Sequence, residues 1–101
     1  MTVITIVRGE VPAAQQRTFE EGFSHIKDRT IPDGLITTRL LHDEDNPTHY
    51  LVESSWDDRA SFEQFRHQTN PLPAFALFHQ AGSQATLNIF DIADELIPTL
   101  V

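Results

Sequence analysis

The chain has 101 residues, of which 40% are hydrophobic and 22% charged. This composition is typical of one soluble globular domain large enough to bury a core. The absence of cysteine excludes disulfides, thiolate metal sites and a cysteine nucleophile, and it leads us to expect a cytoplasmic protein. The net charge of −8 disfavours nucleic acid as a partner. No apolar run approaches the roughly 18 residues of a membrane-spanning helix, so no membrane partner is expected.

The first third of the chain is predicted to be a strand followed by a helix. Residues 2–8 carry apolar side chains on both faces of the period of two, which is typical of a central strand covered on both sides. A Gly-Glu-Val-Pro segment ends this strand. A helix is then predicted over about residues 12–29, where Phe19, Phe23 and Ile26 form one apolar stripe.

The middle of the chain is predicted to be a β-hairpin. A Pro-Asp-Gly turn leads into a strand over residues 35–42, and the acidic link at residues 43–47 returns the chain as a strand over residues 48–56. On this third strand, the period of two places four residues on one face: Tyr50, Val52, Ser54 and Trp56.

The next segment is predicted to be a helix in two parts. The first part covers about residues 58–67, with Asp57 as its N-cap. Asn70 is predicted to cap a short third helix whose first residue is Pro71. Gly82 suits the position just after that helix, and a last strand follows over residues 83–92.

The element order is strand, helix, strand, strand, helix, strand. It predicts an α+β, ferredoxin-like split βαβ fold with a four-stranded antiparallel sheet covered by helices on one face. We expect a single domain over residues 1–101, with a core of about 2–92 and an apolar tail at 93–101 that docks on its own subunit or on a partner. The uncovered sheet face is predicted to carry Ile4, Ile6 and Leu51, with Ile36 and Leu40 as further candidates. Because such a face is too apolar for water, we expect a homodimer.

Several segments of this chain match the pattern of a known family. They are the Gly-Glu-Val-Pro, Pro-Asp-Gly-Leu and Asp-Glu-Asp-Asn-Pro segments, and residues 50–56 followed by Phe62 and Phe65. On these residues the chain resembles the antibiotic biosynthesis monooxygenase domain family, within the dimeric α+β barrel superfamily. The resemblance covers roughly residues 3–92. It implies a homodimer whose sheets face each other, with a pocket between sheet and helices in each subunit.

The resemblance also implies an activity and a site. It suggests a cofactor-independent monooxygenase that oxidises a hydroxylated aromatic or polyketide-like molecule with O2. Trp56 matches the pocket tryptophan of such enzymes. With it, we expect a substrate-binding set of Val52, Trp56, Phe62, Phe65, Phe75 and Phe78. His67 and His79 are the candidates for the acid/base, since histidine titrates near neutral pH.

Two departures from the family pattern favour an alternative. Val52 stands where the quinone-forming type carries an amide, and Phe62 stands where it carries a tyrosine. Both changes remove polar groups. The alternative is a non-catalytic dimer of the same fold that binds a small hydrophobic ligand or has a structural role.

Haem degradation is a third possibility implied by the family. That branch uses an Asn on the first strand, which this chain lacks, and a Trp at the position of Phe65. His79 is the one possible haem ligand in the matching region. No metal site is expected, because the acidic link lacks the glycine and the spaced carboxylates of a calcium loop.

Polar residues on the strands suggest two further roles. Glu53 is predicted to form an ion pair near the subunit interface with whichever of Arg8 and Arg39 shares its face. The alternative role of this carboxylate is that of a base. Ser54 and Thr37 are predicted to donate hydrogen bonds into the cavity.

Overall fold

The computed structural model describes residues 1–29 and 31–99. Its strands and helices are β1 Val3–Glu10, α1 Gln16–Lys27, β2 Leu35–His42, β3 His49–Trp56, α2 Arg59–Gln68, α3 Pro73–Gln80 and β4 Ala85–Asp91. The strands form one antiparallel sheet in the order β2-β3-β1-β4, which confirms the ferredoxin-like α+β fold. The sheet is open and does not close into a barrel within one chain. None of the helices in the described ranges is long and apolar enough to cross a membrane.

The first helix begins later than predicted. Pro12 precedes a 3-10 turn at Ala13–Gln15, and α1 starts at Gln16. The side-chain Nε2 of Gln16 donates hydrogen bonds to the carbonyls of Val11, at 3.1 Å, and Pro47, at 2.9 Å. These two bonds attach the start of the helix to the end of β1 and to the hairpin loop.

The cap of α2 is one residue further along than predicted. Asp58 is the N-cap, and its Oδ1 accepts a hydrogen bond of 2.8 Å from the backbone N–H of Ser61. The backbone N–H of Asp57 instead donates to the carbonyl of Gly34, at 2.8 Å. The prediction of Asp57 as the cap is therefore wrong, because this residue is still bonded to the turn before β2.

The start of α3 also differs from the prediction. Asn70 and Pro71 precede the helix and are joined by a cis peptide bond. The helix begins at Pro73, with Leu72 as the N-cap residue. Leu72 is buried with Trp56. The residue just before the helix therefore packs in the core.

The end of α3 follows the expected pattern. Gly82 has a φ of +78°, in the left-handed region that glycine adopts without a steric penalty. Its N–H bonds the carbonyl of His79, at 2.9 Å, and the N–H of Ser83 bonds that of Phe78, at 3.0 Å. This pair of bonds is a Schellman motif.

A bulge in β2 changes which residues face the helices. Leu35 pairs with Trp56, while Thr37 pairs with Ser55, so Ile36 is the extra residue. One inserted residue inverts the alternation. As a result, Leu35 lies on the same face as the group Thr38, Leu40 and His42. The placement of Leu40 on the open face is wrong, because Leu40 packs against the buried core.

The core lies between the helices and one face of the sheet. One cluster surrounds Tyr50 and Phe78, and a second contains Val3, Trp56 and Phe62. The tail does not add to it within the described residues, since the exposed fractions of Leu96 and Ile97 are 88% and 74%. The other two apolar tail residues, Leu100 and Val101, lie outside the described ranges.

The opposite face of the sheet has no helix over it. Pairing with β1 places Ile4 beside Phe90, which is 46% exposed, and Ile6 beside Glu53. Nη2 of Arg39 lies 2.7 Å from Oε1 of Glu53, so the predicted ion pair on this face is present.

Candidate functional site

A cavity of about 640 Å³ lies between the sheet and the helices. This volume is in the range of small-molecule sites. The residues that line it come from the sheet, the helices and the segments between them: Thr5, Val7, Phe23, Ile26, Asp28, Arg29, Ile31, Pro32, Leu35, Thr38, Val52, Ser54, Trp56, Phe62, Phe65, Thr69, Leu72, Pro73 and Ala74. Most of these side chains are apolar, so the cavity suits a hydrophobic ligand.

Three aromatic rings form one wall of the cavity. The ring centroid of Trp56 is 5.5 Å from that of Phe62, at 63°, and 5.5 Å from that of Phe65, at 35°. Phe62 and Phe65 are one turn apart on α2, and the cap at Asp58 fixes where that helix starts. Tilted and edge contacts of this kind stabilise aromatic clusters. They present a rigid surface to a flat ligand.

Hydroxyl groups form a polar row along the sheet side of the cavity. Thr5 on β1 pairs with Ser54 on β3, and Ser54 pairs with Thr38 on β2. All three residues line the cavity. Side chains directly opposite on adjacent strands are neighbours. We call these three residues the hydroxyl row.

Two hydrogen bonds organise the hydroxyl row. Nε1 of Trp56 donates to Oγ1 of Thr5, at 3.1 Å, and both groups are buried. Oγ of Ser54 lies 2.9 Å from Oγ1 of Thr38. The sequence interpretation chose Thr37 instead of Thr38. The prediction that Thr37 faces the cavity is wrong, because the bulge places this residue on the open face of the sheet.

The structure brings together half of the predicted site residues. Val52, Trp56, Phe62 and Phe65 all line the cavity. Four others do not belong to the described lining: Phe75, Phe78, His67 and His79.

Phe75 and Phe78 do not line the cavity because they pack against other parts of the core. Phe78 is fully buried, and its ring centroid lies 4.8 Å from that of Phe19 on α1. Phe75 is half-buried and contacts both core clusters. These rings therefore join α3 to the rest of the core.

The two predicted acid/base histidines are exposed on the last turns of their helices. His67 lies near the end of α2 and His79 near the end of α3. A cation there is favoured by the helix dipole. Their acid/base role stays a prediction, and the lining of the cavity gives it no support.

The hairpin histidines make local contacts. The ring of His42 stacks on Tyr50 with a centroid distance of 4.2 Å. Nδ1 of His49 lies 3.1 Å from Oδ2 of Asp43. Oδ1 of Asp43 accepts bonds from the backbone N–H groups of Asp45 and Asn46. These contacts, led by the one with His49, lower the pKa of Asp43. These hydrogen bonds therefore stabilise the acidic loop within the hairpin.

The mouth of the cavity is assigned to three exposed lining residues that follow α1. Asp28, Arg29 and Ile31 all belong to the lining and are exposed, Ile31 by 70%. A type II turn then leads into β2, since the N–H of Leu35 bonds the carbonyl of Pro32 and Gly34 has a φ of +83°.

Sequence reasoning missed several lining residues. On β1 the period of two places Thr5 on one face with Val3 and Val7, and this face is the buried one. A threonine between two buried valines on a central strand is the signal that could have identified it.

The residues present do not fit haem. Haem iron needs an axial ligand such as His, Cys, Met or Tyr, and the described lining offers none of these. Within residues 1–29 and 31–99, no three His, Asp or Glu side chains are arranged to hold a metal ion.

Comparison with known proteins decides the family. The family model for antibiotic biosynthesis monooxygenase matches residues 2–81. The chain belongs to this family. A search of curated proteins found no match.

Solved structures of this monooxygenase family have the same fold as the chain. A Deinococcus radiodurans protein with the same family description has 18% identity and a TM-score of 0.75, covering 98% of this chain and 99% of its own. A variant of SnoaB, a cofactor-independent oxygenase from Streptomyces nogalater, has 24% identity and a TM-score of 0.72, covering 94% and 96%. A haem-degrading protein from Mycobacterium tuberculosis has 23% identity and a TM-score of 0.70, covering 95% and 99%.

Proposed function

We propose that this protein is a cofactor-independent monooxygenase that oxidises a hydroxylated aromatic or polyketide-like molecule with O2. The observation that carries the proposal is the cavity of about 640 Å³ with an aromatic wall and a row of hydroxyls opposite the helices. Family membership and the similarity to a cofactor-independent oxygenase support it.

The proposed reaction requires only a few contributions from the protein. The substrate loses a proton and becomes an electron-rich anion, which reduces O2. One oxygen atom enters the substrate as a quinone oxygen, and the other leaves as water. The protein binds the ring, stabilises the anion and excludes bulk water. Trp56, Phe62, Phe65 and Val52 would form the ring-binding surface. Water beside the exposed residues Asp28 and Arg29 would accept the proton and return it to the oxygen atom that leaves as water.

One observation favours a second candidate. The described lining contains no histidine, although general-base catalysis works best with a group whose pKa is near the working pH. A dimer that binds a small hydrophobic ligand without turning it over needs no such group. This ligand-binding protein is the alternative.

Oxygen uptake separates the two candidates. Metal-stripped protein is tested against a panel of hydroxylated naphthalenes and anthrones, with product identification. Saturable uptake with quinone formation, lowered in Trp56→Ala, supports the monooxygenase. Saturable binding of the same compounds with no uptake supports the ligand-binding protein.

We also propose a homodimer in which the open sheet faces meet. The apolar side chains of Ile4, Ile6 and Phe90 lie on this face. Nε of Arg8, on the same strand, is buried and has no hydrogen-bond partner among the described residues. A second copy would cover the apolar side chains and could supply an acceptor for Arg8. A cytoplasmic location likewise stays a prediction.

A further inference from the structure

The direction of the hydrogen bond between Trp56 and Thr5 is fixed by chemistry. An indole N–H can only donate a hydrogen bond, so Oγ1 of Thr5 must accept from Nε1 of Trp56. The proton of Thr5 is then free to point elsewhere. No acceptor for this proton is found among the described residues, although Thr5 is only 4% exposed.

The second half of the hydroxyl row offers another donor. Ser54 and Thr38 share one hydrogen bond of 2.9 Å. Whichever hydroxyl donates, one of their two protons remains for a third partner. The sheet side of the cavity therefore presents hydrogen-bond donors, and the buried one next to the aromatic wall belongs to Thr5.

We propose that Thr5, held in place by Trp56, donates a hydrogen bond to a ketone or phenolate oxygen of the ligand. The ligand class is then a flat aromatic with an acceptor oxygen on the edge that faces β1. This inference deepens the proposed function and rests on the same cavity being the substrate site. Buried polar groups that lack a partner are costly, so such a site discriminates against the same ring without the oxygen.

A pair of ligands isolates this one bond. Fluorenone and fluorene share a flat ring system and differ by a carbonyl in place of a methylene. Fluorenone has no methylene to oxidise, and the titrations are done without O2 so that the methylene of fluorene is not oxidised to fluorenone. Binding is then measured apart from turnover. By titration calorimetry we expect the wild-type protein to bind fluorenone about three- to tenfold more tightly than fluorene.

Three variants assign the preference to Thr5. Thr5→Val keeps the shape and removes the hydroxyl, and it should lose the preference by weakening fluorenone binding alone. Thr5→Ser should restore it. Thr37→Val is the matched control, because Thr37 is exposed on the other face of the sheet, and it should bind both ligands like the wild type.

Several results would overturn the inference. They are equal affinity of the wild type for the two ligands, binding of neither, or a Thr5→Val protein that keeps the full preference. If Thr5→Val fails to fold, Thr5→Ala removes the same hydroxyl and should likewise lose the preference, and a folded Thr5→Ala protein that keeps it would overturn the inference. A protein that shows the preference but consumes no oxygen would refute the proposed oxygenase and leave this inference standing.

Discussion

The hydroxyl of Tyr50 on β3 donates a hydrogen bond of 2.5 Å to Oε2 of Glu20 on α1. Tyr50 is 1% exposed, and its ring lies 5.1 Å from that of Phe19. Burial, followed by the bond to Glu20 and the charge of Glu20, raises the pKa of Tyr50 to about 12. This bond joins the first helix to the centre of the sheet.

The pKa of Tyr50 can be measured directly, because the chain has one tyrosine. A titration followed by tyrosinate absorbance should give a pKa of about 12 in the folded protein, above the ordinary tyrosine pKa of 10.0. Glu20→Gln should lower the value only in part, since burial is the larger cause. A folded-state pKa near the ordinary 10.0 would contradict the buried bond.

The same shift predicts how stability depends on pH. The unfolded chain loses the tyrosine proton at a lower pH than the folded chain does. The contribution of Tyr50 is therefore complete below pH 10.0 and is lost as the pH rises to about 12. Urea denaturation across this window should show the loss in the wild type, and Tyr50→Phe should lack that component.

Gly34 and Gly82 form a matched pair for testing backbone geometry. Both have a positive φ, of +83° and +78°. A Cβ at Gly34 would lie 2.3 Å from Oγ and 2.4 Å from Cβ of Ser61, whereas nothing lies within 4 Å of one at Gly82. We expect Gly82→Ala to cost about 1–2 kcal/mol of unfolding free energy and Gly34→Ala to cost clearly more.

A second substitution identifies the source of that difference. Adding Ser61→Gly removes both clashing atoms, so the cost of Gly34→Ala in that background should fall toward that of Gly82→Ala. Chemical denaturation of the four proteins measures each step. Equal costs for the two glycines in the wild-type background would contradict the close packing of α2 on the turn.

The cap of α2 is tested by comparing two neighbouring aspartates. Asp58→Ala removes the acceptor of the Ser61 N–H and should lower the unfolding free energy, while Asp57→Ala should have a smaller effect. The backbone bond to Ser61 lowers the pKa of Asp58. The stability that Asp58 adds is thus present above pH 3.8, the ordinary aspartate pKa, and is lost as the pH falls through the lower pKa of the folded protein. An equal loss in both variants would contradict the cap.

Half of the predicted site could be read from local patterns. The period of two on β3 predicted the shared face of Val52 and Trp56. Phe62 and Phe65 are three residues apart, which is the spacing of neighbours on one face of a helix. Both patterns depend on residues within one element. The sheet order also followed from the order of the elements.

The rest depended on contacts between elements. Thr38 lines the cavity because a bulge at Ile36 inverts the alternation of β2, and no glycine or proline marks that bulge. Phe78 faces α1 because it packs on Phe19. Tertiary packing decides whether such a buried side chain lines the cavity or contacts a neighbouring helix.

The homodimer is tested at Phe90, on the open sheet face. Phe90→Asp would place a charge among apolar side chains and should shift the sedimenting species from twice the chain mass to the 11.5 kDa chain. Ala14→Asp, at an exposed position away from that face, should leave the species unchanged. A wild-type protein that sediments only as the single chain at micromolar concentration would refute the dimer.

The most direct test of the central claim is oxygen uptake with anthrone by a protein whose cavity has been filled. Ala74 lines the cavity, so the ring of Ala74→Phe would enter its empty volume. Ala14→Phe is the matched control at an exposed position. We predict saturable uptake by the metal-stripped wild type and by Ala14→Phe, and a rate at least about tenfold lower in folded Ala74→Phe, because a displaced substrate loses its reactive geometry. Undiminished uptake in Ala74→Phe, or no uptake by the wild type on any member of the panel, would contradict the assignment of this cavity as an oxygenase site.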